Sequence, residues 1–187
     1  FRPGTMERWG LGYEDLRETH PRLIYCDFHA YGGKGPLAGV GANDLALQAH
    51  SGLMSITGEE GGEPVRAGSA IIDLHASLAI VSGVLAALYL RERTGKGAHV
   101  TSSLMGCGAW SNAIYVQAAL AGAEIPRRPP REESPNALTN IYRCRDGHWF
   151  LLAGVNEERV WNRLCRAAER EELLDDPRFR TMAGRHA

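Results

Sequence analysis

Cysteine is scarce: Cys26, Cys107, Cys144 and Cys165 are the four thiols in 187 residues, with no Cys-x-x-Cys pair and no metal-like spacing. A disulfide framework is excluded, and the thiols read as the reduced groups of a cytoplasmic protein. Neither sign of charge is in excess. Twenty-one basic and 22 acidic side chains leave a net charge of −1, which removes a general electrostatic grip on nucleic acid or on an anionic membrane. The longest apolar run, Leu74 to Leu90, is shorter than a membrane span and carries His75, Ser77 and Ser82. No histidine falls in a His-Glu-x-x-His or three-ligand spacing, so no metal site is expected, and no Gly-x-Ser-x-Gly elbow is present. Aromatics are few, at 7%, and too isolated to build a stacking platform for single strands. The sequence opens at Phe1 without a methionine or signal-peptide core and closes at Ala187; the expectation is a soluble piece of a longer protein.

What is present is an ordinary globular mix, 44% hydrophobic and 23% charged. Glu7 to Thr19 reads as a short helix and Leu23 to Phe28 as a strand, which empties into the glycine-rich loop Gly32–Gly35. Asn43 and Asp44 stand where an N-cap belongs, before a helix expected to run to about Thr57. From Leu74 to Arg93 the sequence is apolar nearly all round, which predicts a buried helix, closed by Arg91, Arg93 and Gly95 in keeping with dipole and C-cap preferences. A strand over Ala98–Ser102 and a second long helix over Leu104–Leu120 follow. The proline-rich stretch from Pro126 to Pro135 is the best boundary in the chain. It divides a first domain (1–125) from a linker (126–139) and the start of a second domain (140–187). There Arg145-Asp146-Gly147 turns a hairpin and Glu157 to Glu169 forms a helix.

Among candidate functional residues Asp73 comes first. Aspartate is a preferred N-cap and a long apolar helix starts one residue later, so a structural role explains it. The same placement supports chemistry: the dipole and free N–H groups of a helix N-terminus keep a carboxylate ionised, and an ionised carboxylate in a confined pocket attacks activated acyl groups. Residue type and spacing leave both open. Arg2, Arg8 and Lys34 are candidate phosphate contacts, each in isolation better explained as a common surface cation. The Gly32–Gly35 loop lacks both the Gly-x-Gly-x-x-Gly and Gly-Lys-Ser/Thr patterns. His50 and His75 read as partly buried structural residues.

Taken together, the segments resemble the class III CoA-transferases of the CaiB/BaiF type, which include formyl-CoA transferase, carnitine CoA-transferase and α-methylacyl-CoA racemase. The resemblance is carried in order by Phe1 to Leu16 (Phe-Arg-Pro-Gly-Thr-Met-Glu-Arg-Trp-Gly-Leu-Gly-Tyr-Glu-Asp-Leu), His20 to Cys26 and Asn43 to Gly58. It continues through Ile72-Asp73, Leu85 to Gly97, Tyr142 to Gly147 and Asp175 to Phe179.

The resemblance implies an α/β fold: the rear of a Rossmann-like large domain, then the start of a smaller α/β domain, in a family whose chains interlock as homodimers. It implies movement of CoA between carboxylic acids, with acyl-CoA and acceptor acid as substrates and no permanently bound cofactor. Asp73 falls on the family's catalytic aspartate, which forms aspartyl–acyl anhydride and aspartyl–CoA thioester intermediates. Phe1, Arg2 and Arg8 match positions at the CoA site, and Asn43 and Asp44 its neighbours. The racemase branch carries a histidine where this chain has Asn43; two-base racemisation needs a proton acceptor there, which an amide is not. Transferase is therefore the first reading. A racemase or epimerase, or a non-catalytic CoA-binding fragment, are the alternatives.

Overall fold

The computed structural model describes residues 1–125, 128–154 and 156–185. Residues 126 and 127, at the head of the expected linker, and residues 186 and 187 lie outside the described residues. The chain forms two compact units, Phe1–Arg127 and Arg128–Ala187, each a mixture of helix and strand.

The first unit is built on two parallel strands, β1 (Ile24–His29) and β2 (Ala98–Ser103), paired from Ile24 opposite Ala98 to His29 opposite Ser103. Parallel neighbours require a crossover, and here it holds three helices: α3 (Asp44–His50), α4 (Leu53–Thr57) and the 24-residue α5 (Ile71–Thr94). Two one-turn helices, α1 (Thr5–Arg8) and α2 (Tyr13–Leu16), precede β1; α6 (Leu104–Ser111) and α7 (Ala113–Leu120) follow β2.

Three of the helices expected from the sequence are broken, each for a local reason. The first is interrupted at Gly10, whose φ of 68° lies in the left-handed region. Gly52, at φ 82°, separates α3 from α4. Asn112 leaves helical geometry between α6 and α7, and its buried side chain donates from Nδ2 to the Ser51 carbonyl at 3.0 Å. A tertiary hydrogen bond has overridden a continuous apolar pattern there.

The core of this unit joins Leu47 of α3, Ile72 and Ala76 of α5, and Leu104 and Cys107 of α6. Leu47 and Ile72 are fully buried, worth about 1.5–3 kcal/mol each relative to exposure. Close approach is set by Gly108: an added Cβ would stand 2.7 Å from Ser51 Cβ and 3.2 Å from Ile72 Cδ1.

Contrary to expectation, α5 is not buried all round. It lies along β1, β2 and α6 on one side, while Leu74, Leu78, Val81, Leu85 and Tyr89 are between 54 and 66% exposed on the other. The cause is one-sided packing: among the described residues no element covers that stripe. At 24 residues α5 is also long and apolar enough, by length and composition alone, to cross a membrane, which corrects the reading of this run as too short.

The second unit is an antiparallel hairpin and a helix. Strands β3 (Thr139–Arg143) and β4 (Trp149–Ala153) pair in register from Thr139 opposite Ala153 to Arg143 opposite Trp149. Gly147, at φ 92°, makes the turn. Helix α8 (Glu157–Ala167) is capped by Asn156, whose side chain accepts from the Arg159 N–H at 3.2 Å. A buried pair, Arg185 Nε to Glu157 Oε1 at 2.5 Å, ties the short α9 (Met182–Arg185) to the start of α8.

Gly108→Ala, which places a methyl group against Ser51 and Ile72, is expected to destabilise the chain by about 1–3 kcal/mol. Urea unfolding should show a lower midpoint with an unchanged slope.

Candidate active site

The site begins with a helix that does not cap itself. The residue before α5 is Ala70, which has no side-chain acceptor, and the first N–H groups of a helix have no partner within it. The partners come from elsewhere. Ile71 N–H donates to the Ser69 carbonyl at 2.8 Å. Ile72 N–H and Asp73 N–H both donate to Asp44 Oδ2, at 2.8 and 3.1 Å. Asp44 is therefore the acceptor that finishes α5, across 28 residues of sequence, and Asp73 is not a cap. The expected structural role of Asp73 is corrected: it stands in the first turn of α5, with its N–H engaged and its carboxylate accepting no hydrogen bond among the described residues.

Asp44 can reach because of where α3 starts. Asn43 is the N-cap of α3, its Oδ1 accepting from Ala46 N–H at 3.1 Å. This leaves Asp44 as the first helical residue, buried at 8% exposure and turned toward α5. One helical turn later stands Gln48, 1% exposed, donating from Nε2 to Asp44 Oδ1 at 2.6 Å. The same amide accepts the Ala67 N–H at 2.9 Å on Oε1 and donates to the Ser69 carbonyl at 3.3 Å. One buried carboxylate and one buried amide thus bind α3, the 66–70 loop and α5 into a single frame. Asp44 gives up hydration for two backbone donors and one side-chain donor, the condition under which a buried charge is tolerated.

Asn43, Asp44, Gln48, Arg66, Gly68 and Asp73 line an open cavity of 310 Å³. The Asp73 pKa is pushed above the usual carboxylate value, first by partial desolvation and then by the Asp44 charge. Both effects oppose the helix N-terminus, which was expected to keep this carboxylate ionised.

The remaining expected site residues lie elsewhere. Phe1 and Arg2 line a different cavity of 390 Å³ with Met6, Tyr25, Asp27 and His29. Arg8 is outside both linings and donates from Nη2 to Thr5 Oγ1 at 3.0 Å. Lys34 is exposed on its loop. His50 is exposed and bonded through Nδ1 to the Tyr31 hydroxyl at 2.8 Å, whereas His75 is partly buried, with Nδ1 2.5 Å from Ser111 Oγ. Among the described residues no cluster of three His, Cys, Asp or Glu side chains has metal-binding geometry. Sequence reasoning missed Gln48 and Arg66. Gln48 had a signal: with Asp44 it forms an i, i+4 polar pair beside the apolar Leu47. Arg66 had none, being one exposed arginine in a polar loop.

The family model for CoA-transferase family III matches residues 1–187. The chain belongs to CoA-transferase family III. It is 36% identical over 184 residues to the acetyl-CoA:oxalate CoA-transferase of Acetobacter aceti, covering 96% of this chain and 46% of that protein. It is 34% identical over 183 residues to the mouse succinyl-CoA:glutarate CoA-transferase, covering 96 and 41%. Among solved structures, a CaiB/BaiF family protein from Brucella suis superimposes with a TM-score of 0.85 at 32% identity, over all of this chain and 49% of that one. This family III chain therefore spans less than half the length of the curated relatives it matches.

Two outcomes follow from this frame. Asp44→Ala leaves two backbone donors and the Gln48 amide without their acceptor, and is expected to cost roughly 2–4 kcal/mol in denaturant unfolding. Hydrogen exchange should accelerate first at Ile72 and Asp73. Asp73→Asn should act the other way. Because its folded pKa is raised, ionised Asp73 opposes folding as pH rises through that value. The variant should therefore melt higher near neutral pH, with the difference vanishing below the ordinary carboxylate range.

Proposed function

We propose that the protein carrying this chain is an acyl-CoA:carboxylate CoA-transferase with Asp73 as its nucleophile. The observation that carries the reading is a carboxylate that accepts no hydrogen bond among the described residues, set in an open cavity on the first turn of a helix whose N–H groups at Ile72 and Asp73 another acid, Asp44, already satisfies. A nucleophile needs a free lone pair, which this carboxylate keeps, and its backbone is held through the Asp73 N–H on Asp44.

In the proposed cycle the Asp73 carboxylate attacks the thioester carbonyl of the donor. The C–S bond breaks, CoA thiolate departs and an aspartyl–acyl anhydride remains. Thiolate then attacks the aspartyl carbonyl, releasing the donor acid and leaving an aspartyl–CoA thioester. The acceptor carboxylate attacks that thioester and expels thiolate to form a second anhydride. Thiolate attack at the acceptor carbonyl gives the new acyl-CoA and returns Asp73 to its free form. No proton or redox partner is consumed, so CoA thioesters enter as substrates and no resident cofactor is needed. Phe1, Arg2 and Arg8 are proposed to contact the CoA, with Asn43 and Asp44 bordering the reacting end. The reading also takes the first unit as part of a Rossmann-like CoA domain in a cytoplasmic, interlocked homodimer. Engagement of the Asn43 amide in capping α3 supports transfer over racemisation, since the amide offers no basic site for an α-proton.

Intact-mass spectrometry of the full-length protein after exposure to a panel of acyl-CoAs, with hydroxylamine trapping, should find an adduct on Asp73. Asp73→Ala should lose both adduct and turnover, at least 10³-fold for a lost covalent nucleophile. Retained turnover, or α-deuterium uptake from solvent without transfer, would overturn the assignment. Activity should fall as pH drops through the raised Asp73 pKa, and Asp44→Asn, which removes the second charge, should move that acid limb to lower pH.

A further inference from the structure

A side-chain amide offers two N–H donors and one carbonyl acceptor, and Gln48 uses all of them. Nε2 donates to Asp44 Oδ1 at 2.6 Å and to the Ser69 carbonyl at 3.3 Å, while Oε1 accepts from the Ala67 N–H at 2.9 Å. These neighbours fix its orientation. Turned over, Oε1 would face a carboxylate oxygen and a carbonyl, and the amide nitrogen would face an N–H group. Gln48 is 1% exposed, so solvent does not compete for the contacts.

The consequence falls on Asp44. Its Oδ2 accepts from the Ile72 and Asp73 N–H groups and its Oδ1 from Gln48. Both oxygens face donors, so a proton added to either would displace a hydrogen bond. The Asp73 carboxylate accepts no hydrogen bond among the described residues, and a proton there displaces nothing. The two acids line one cavity, and the proton they would share is steered to Asp73. Of the three donors on Asp44 only that of Gln48 is a side chain. The other titratable groups on the elements packed against α3 are few. His75 of α5 is turned to Ser111, α6 brings the buried Cys107 thiol, α4 brings none, and Arg66 of the loop lines the same cavity. On α3 itself His50 is bonded to Tyr31.

We propose that Gln48 is a positioning residue that fixes Asp44 as the anion of this acid pair and so leaves Asp73 as the acid that gains and loses the proton. Gln48 acts through Asp44 and not on the reacting atoms. The proposal rests on the transferase reading only in making the Asp73 carboxylate a nucleophile. The residue type follows from the role. Glutamate, of the same shape, would set two carboxylates against each other, and methionine, of similar volume, would supply no donor.

The test sets Gln48→Glu beside Gln48→Met in the full-length protein. While protonated, the introduced carboxyl donates to Asp44 as the amide does; once ionised, it repels that acid. The fold favours its neutral form, so the stability it contributes is present at acid pH and lost as pH rises. The melting temperature of Gln48→Glu should therefore fall below that of the wild type by several degrees between about pH 5 and pH 9. Its kcat, divided by the wild-type value at each pH for the acyl-CoA that labels Asp73, should drop roughly tenfold over the same range. Gln48→Met leaves Asp44 Oδ1 free to take the proton, so the acid limb of kcat should move to lower pH; this variant decides the matter should Gln48→Glu fail to fold. An unmoved acid limb in Gln48→Met, or a Gln48→Glu melting deficit of equal size at every pH, overturns the proposal, because Gln48 then only fills space; wild-type transfer would leave the transferase reading intact. A wild type that transfers from no donor, beside a melting deficit that grows with pH, sinks that reading and sustains the charge assignment.

Discussion

A single carboxylate, that of Asp44, holds the first unit's functional end together. It accepts from the second and third N–H groups of α5 and from Gln48, so one side chain terminates a helix it does not belong to. The partial positive charge of a helix N-terminus and a buried anion satisfy each other, and two N–H groups at the start of α5 find their acceptor in it. Remove that acid and the first N–H groups of α5 lose their acceptor, while Gln48, which pins the 66–70 loop, loses one of its own partners.

The same interaction explains why Asp73 is left available. Asp44 occupies the acceptor role that Asp73, a first-turn aspartate, would otherwise fill. Two neighbouring acids then divide the work: one buried and saturated with donors, one open to solvent and without them. Proximity adds an electrostatic consequence, since the Asp44 charge helps push the Asp73 pKa upward. A site that raises the energy of its own ionised carboxylate is less stable than it could be, and such local conflict is what the proposed role of Asp73 as nucleophile would account for.

Packing around this frame is one-sided. Leu47, Ile72, Ala76, Leu104 and Cys107 close a core directly beneath the site, while the outer stripe of α5 from Leu74 to Tyr89 stays exposed. An all-round apolar pattern predicts burial on every side, but burial is a property of neighbours and not of the helix. The chain spans less than half of its curated relatives. Its composition therefore records a helix suited to contacts on more faces than the described elements supply.

Much of the fold was legible because it depends on residues close in sequence. The strand at Ile24–His29, the Asp-Gly hairpin turn, the Asn43 cap and the αL glycine that closes α5 each follow from propensity or dihedral preference over a few residues. The ordered segments from Phe1 to Phe179 were enough to indicate the family, which the family match and the structural likeness show. The breaks at Asn112 and Gly52 were less legible, because one answers to Ser51 across 61 residues and the other to a turn that an apolar pattern conceals. What the sequence determined by itself was the inventory: which segments are helix or strand, and that an aspartate stands at the head of the longest helix. Only the tertiary structure decided that Asp44 caps that helix, that Gln48 pins the loop, and that Arg66 shares a cavity with Asp73. Hydrogen bonds across 19 to 29 residues exist only once the chain has closed on itself, and no local preference encodes which donor meets which acceptor.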